Sequence, residues 1–218
     1  MNFGETLAYW YLRLNGFFPL TDFVLHRDEE TIEHSADTDL LAVRFPFVYE
    51  EVGGQLDDWD NNRFTDWGLD LNRKIVALIV EVKTGKNNPA YRDNIRQSFS
   101  RDRLLYGIHR MGFWQRIRTD EIASDLSLAS IYHDAVLGVS IAKLLIAVRF
   151  PQNEQLLPCC LKLRLDEAEE FILARVDKYP QKQADRLRFP SDLVQYLIWS
   201  RRTRDRQRNN ANSSNQIN

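Results

Sequence analysis

Nine consecutive residues, Ile75-Val76-Ala77-Leu78-Ile79-Val80-Glu81-Val82-Lys83, constrain this chain more than any other stretch. A run so rich in β-branched and aliphatic side chains reads as a strand buried on both faces. Such a strand belongs inside a sheet covered by helices. Its end is unusual, because Glu81 and Lys83 are two apart and therefore share one face. A carboxylate and an ammonium at the end of a core strand are costly to bury unless they pair or hold a metal.

A second apolar segment, residues 36–45, also reads as a strand, with Asp37 and Asp39 on one face. If the two strands are neighbours, Asp39 and Glu81 lie side by side and offer oxygen ligands to a hard cation. Mg²⁺ takes one or two protein carboxylates and keeps several waters. A lysine beside such a metal can position or help deprotonate an attacking water. Residues 3–14 read as a helix with Asn2, Thr6 and Arg13 on its polar face. Glu5 lies on the flank of Ala8 and Leu12 and is able to lean toward a site. Each residue also has a plainer reading. Glu81 and Lys83 make a weak ion pair at a strand end, Glu5 is a first-turn acid favoured by the helix dipole, and Asp37 is an edge-strand charge.

Composition narrows the class. The chain has 218 residues, 44% hydrophobic and 28% charged, as expected of a soluble globular protein with one sizeable core. No segment approaches the ~20 apolar residues of a membrane span, and no secretory signal is visible at the N-terminus. The two cysteines, Cys159 and Cys160, are adjacent, which suits a reducing, cytoplasmic setting. With two cysteines and four histidines no zinc spacing can be assembled. The net charge of −2 hides local polarity, since Arg92, Arg96, Arg101, Arg103, Arg110, Arg116 and Arg118 crowd one stretch. A helix with that bias suits phosphates; a solvated face is the plainer account. A second basic run, Arg201–Arg208, closes the expected folded part.

Along the chain, a short strand is expected over 22–26. Residues 50–73, with Gly53-Gly54, Trp59 and Trp67, are too long for a hairpin loop. They form either an insertion packed on the core or a substrate-facing flap. Asp58-x-Asp60-x-Asn62 lacks the glycine and the bidentate glutamate of a calcium loop. Lys83-Thr84-Gly85-Lys86 lacks the upstream glycine of a phosphate-binding loop. One crossover helix is expected over 89–112, strands over 143–150 and 158–164, and helices from Asp166 to about Tyr179 and from Ser191 through Trp199. The polar tail from Asn209 is expected to be disordered.

The order Gly4-Glu5, a helix ending at Asn15-Gly16-Phe17, Asp37-Thr38-Asp39, and Val80-Glu81-Val82-Lys83-Thr84-Gly85 resembles the PD-(D/E)xK nucleases. Among them it is most similar to the restriction-endonuclease-like and Holliday-junction-resolvase-like members. The likeness covers residues 1 to about 112, and the family's proline before the aspartate is replaced by Thr38. It implies an α/β fold, a mixed central sheet flanked by helices, in a single nuclease-like domain over 1–208. It further implies a Mg²⁺- or Mn²⁺-dependent hydrolysis of phosphodiester bonds in nucleic acid, with DNA favoured. By the same likeness, Asp39 and Glu81 bind the metal with a backbone carbonyl, that of Val82. Lys83 attends the attacking water, and Glu5 holds a metal-bound water or orients the lysine. Asp37 stands where resolvase-like members often carry glutamate. Arg92, Arg96 and Gln97, on the helix after the strand, are candidates for nucleic-acid contact. The competing reading is a catalytically inactive module of the same fold that binds nucleic acid or a protein. A homodimer and a partner protein both stay open.

Overall fold

The computed structural model of the protein describes residues 1–25, 36–50, 54–85, 89–151, 157–179 and 190–215. Residue 26 of the expected first strand, Gly53 and Lys86 lie outside the described residues, as do the side chains of Asp37, Arg92, Arg206 and Arg208. The chain divides into two compact units, Met1–Glu169 and Glu170–Asn218.

The first unit is α/β, with a mixed six-stranded sheet flanked by helices. Helix α1 spans Phe3–Leu14, and strands β1 (Phe18–Leu25) and β2 (Ala36–Arg44) follow. A single 3-10 turn (Leu56–Asp58) and α2 (Asn61–Asp66) then lead to β3 (Ile75–Lys83). Helices α3 (Pro89–Ser98), α4 (Arg101–Met111) and α5 (Arg116–Leu128) carry the chain across to β4 (Ile131–Asp134) and β5 (Val139–Ala147). Strand β6 (Leu161–Arg164) runs straight into α6 (Leu165–Lys178).

Strands β1, β2 and β3 are successively antiparallel, and β3 then pairs in parallel with β5 along its whole length. A parallel pair needs a long crossover, which α3–α5 supply. Strands β4 and β6 divide the other edge of β5 between them, one antiparallel and one parallel. β3 and β5 are central because nearly every side chain on them is apolar and buried. Leu41, Ala77, Ile79, Ile141 and Leu145 pack on one face against Ile95 of α3, Leu104 and Ile108 of α4, and Ile122 and Leu126 of α5.

The expected single helix over 89–112 is two. The break falls at Phe99-Ser100, where Ser100 takes the extended backbone of a helix N-cap, with ψ at 151°. α5 and β4 were not expected from the sequence. β1 begins at Phe18, earlier than the 22–26 estimate.

Residues 54–74 pack on the core. Phe64 is fully buried and stacks on Tyr11 and Phe17, at centroid distances of 6.4 and 5.5 Å. Asp60 accepts from the Tyr11 hydroxyl at 2.8 Å and from Arg63 Nε at 3.0 Å, and its own N–H donates to Asn15 Oδ1 at 2.7 Å. These anchors all lie toward the C-terminal end of α1.

The second unit holds the rest of α6 and α7, Asp192–Asn215. Ser191 Oγ accepts from Val194 N at 3.4 Å as α7 begins, and Arg201 pairs with Asp177 at 2.8 Å. The helix continues through Asn215, past the point where composition suggests a disordered tail.

Candidate functional site

The site forms where β2 begins and β3 ends. The antiparallel register pairs Leu40 with Val80, so the next pair would be Asp39 and Glu81. There the backbone ladder stops and a side chain replaces it, with Asp39 Oδ2 accepting the Val82 N–H at 2.6 Å. Glu81 and Lys83 extend the row of Ala77 and Ile79, whose other members are packed against helices. Glu81 is therefore almost wholly buried, with a side chain 5% exposed, while Lys83 retains 23%. Lys83 Nζ reaches back and pairs with Glu81 Oε1.

Helix α1 contributes from the other side. Gly4 lies so close to the end of β3 that a Cβ built on it would come within 2.5 Å of Thr84 Cγ2 and 3.1 Å of Val82 Cγ1. That close approach brings Glu5, the next residue, into the field of Asp39. Glu5 is held by a capping box. Asn2 Oδ1 accepts the Glu5 N–H at 3.0 Å, and Glu5 Oε2 accepts the Asn2 N–H at 3.0 Å. The other Glu5 oxygen accepts from Asn2 Nδ2.

These placements have an electrostatic cost. Burial, followed by the adjacent Glu81 carboxylate, pushes the Asp39 carboxyl from 3.8 up to about 6. Glu5 adds to the push, while the Val82 N–H and the Lys83 ammonium oppose it. A partly buried carboxylate is thus crowded by two others and only partly offset by one ammonium. Among the described residues no three His, Cys, Asp or Glu side chains converge as a ready metal cage. The site instead offers a pair of hard oxygen donors with a surplus of negative charge. That donor set fits a divalent cation of the Mg²⁺ type, which uses few protein ligands and retains water.

Four expected residues, Glu5, Asp39, Glu81 and Lys83, are thus neighbours. Val82, between Glu81 and Lys83 in sequence, is buried and donates its N–H to Asp39. Arg96 and Gln97 are exposed on α3. Arg92 belongs to the same helix, and Asp37 sits opposite Val24 in the β1–β2 register. Asn2 belongs to the polar face of α1, and its further role as the cap is also written in the sequence, since Asn-x-x-Glu before an apolar run spells a capping box. Gly4 stands in the Gly4-Glu5 motif, but nothing in the sequence signals its close approach to the end of β3. No helix among the described residues is long and apolar enough to cross a membrane. No protein-family model matches this chain, and no curated protein or solved structure matches it either.

Proposed function

We propose that the protein is a divalent-metal-dependent nuclease with a restriction-endonuclease-like core, acting on phosphodiester bonds of nucleic acid, with DNA favoured. The observation that carries this reading is the meeting of Asp39, Glu81 and Lys83 at the ends of two adjacent strands. Asp39, Glu81 and the Val82 carbonyl would hold the metal. Bound there, Mg²⁺ or Mn²⁺ would polarise the phosphate and acidify water.

Lys83 carries donors only, and Glu81 fixes its ammonium at the site. Its remaining N–H bonds can orient the water that attacks phosphorus and stabilise charge on the phosphoryl oxygens. The P–O bond to the leaving group breaks as the water oxygen bonds to phosphorus. Glu5, anchored by Asn2, supplies a further acceptor for a water proton at the rim. Exposed cationic side chains such as Arg96 on α3 offer phosphate contacts.

The test is cleavage of a panel of plasmid, linear duplex, single-stranded and branched DNA, and RNA. It is run with Mg²⁺, Mn²⁺ or chelator, using wild-type protein and Lys83→Ala. Metal-dependent cutting that disappears in the variant is the expected outcome. Cutting that persists in Lys83→Ala, or no cutting together with no calorimetric Mg²⁺ or Mn²⁺ binding, would overturn the assignment and favour a non-catalytic binding module.

A further inference from the structure

Two exposed aromatic rings and a run of arginines share helix α7, in the second compact unit. Val194 and Ile198 are buried and mark the inner face of the helix. Tyr196 and Trp199, three apart, stand on the outer side, 58% and 62% exposed. Their ring centroids are 6.0 Å apart and their planes are tilted by 35°. Arg202 and Arg204, in the next turn, are exposed as well. Residues 201–208 hold five arginines against one aspartate, Asp205. Of these arginines, Arg201 is committed to Asp177 at 2.8 Å.

Rings beside cations on an open helix face have a particular chemistry. A ring plane is a stacking platform for any base, and a guanidinium fork matches a phosphate. A membrane surface would ask for a broad apolar face, but the aliphatic Val194 and Ile198 point inward. A duplex keeps its bases stacked on one another, so an unpaired strand is what presents base planes to such rings.

We propose that Tyr196 and Trp199 stack on bases of a single-stranded stretch of DNA while Arg202 and Arg204 hold its phosphates. The choice of DNA rests on the nuclease reading. The inference narrows that reading to a substrate with an unpaired stretch, such as a free single strand, an overhang or a branch. Because stacking accepts every base, α7 supplies affinity without sequence preference.

The experiment is fluorescence anisotropy of labelled oligothymidylate with the full chain in chelator, where metal-dependent cutting is off. Wild type binds the oligonucleotide more tightly than a matched duplex, and its tryptophan fluorescence is quenched. Trp199→Ala weakens binding about 10-fold. Trp199→Phe keeps most of the affinity and loses most of the quenching. Replacing both arginines, Arg202→Gln with Arg204→Gln, lowers the slope of log affinity against log salt by about 1.4. Ultraviolet crosslinking of wild type, which needs no variant to fold, places thymidine on the peptide carrying Tyr196 and Trp199. Unchanged affinity in Trp199→Ala, crosslinks only outside α7, a duplex or oligouridylate bound as tightly as oligothymidylate, or preference for phosphatidylserine vesicles overturns the proposal. Loss of these signals beside intact Lys83-dependent cutting refutes the docking surface alone. Intact signals without metal-dependent cutting of any substrate refute the nuclease reading and leave the docking surface standing.

Discussion

Replacing Asp39 by Asn should stabilise the metal-free protein while abolishing its proposed activity. In the folded chain the Asp39 carboxyl is raised from 3.8 to about 6 by burial and by Glu81. A carboxyl raised by folding contributes against stability above its folded pKa, and the penalty is relieved as pH falls through 6 toward 3.8. The full displacement corresponds to about 3 kcal/mol. Asp39 is only partly buried, so solvent screening reduces this to about 1–2 kcal/mol. Asparagine removes the charge and retains an oxygen for the Val82 N–H. Urea unfolding followed by tryptophan fluorescence measures the gain. At pH 8 without metal the midpoint of Asp39→Asn should exceed wild type by about 0.5–1 M, and at pH 4 the gap should nearly close. Mg²⁺ should narrow the gap at pH 8 by stabilising wild type alone. A variant no more stable than wild type at pH 8, or equally favoured at both pH values, would refute the reasoning, because then the Asp39 charge carries no penalty from burial and from Glu81.

Two further expectations follow from geometry. Asn2→Ala removes the side-chain half of the capping box on α1 and should cost about 1 kcal/mol in denaturant unfolding; an unchanged midpoint would show that the box contributes nothing. Tyr11→Phe removes the hydroxyl that donates to Asp60 at 2.8 Å and should cost about 1–2 kcal/mol. Because burial and Asp60 raise the Tyr11 phenol well above 10, wild type should also lose stability as pH rises past 10, and less of that loss should survive in Tyr11→Phe.

How much of this was legible depended on how much each segment's packing is written locally. β3 declares itself because both its faces are buried, leaving an unbroken apolar run. Helix α1 declares itself through its polar face of Asn2, Thr6 and Arg13 and through Gly16, with φ at 78° just past the helix end. Helix α5 hid because its buried stripe, Thr119, Ile122, Ala123 and Leu126, includes a polar and a small residue. Strand β4 is only four residues long and is held by pairing with β5, which no local pattern encodes. The break between α3 and α4 was readable in hindsight from Ser100 followed by Asp102, a helix start inside an apparent helix. At the site, the meeting of Asp39 with Glu81 followed from assuming two strands to be neighbours. The burial of Arg44 had no sequence signal, since an arginine at a strand end ordinarily points its charge to water.

The parallel pairing of β3 with β5 has a consequence for biogenesis. β3 is complete at Lys83, but its second neighbour begins only at Val139, beyond three intervening helices. During synthesis at ~5–20 residues per second, the strand waits on the order of several seconds for that partner. Throughout that interval a long apolar strand has one bare edge, the kind of surface on which chains pair with one another. Nascent chains stalled before Val139 should therefore be the aggregation-prone and chaperone-dependent species of this protein, and release of the strand edge, more than formation of the α1–β1–β2 portion, should limit its yield.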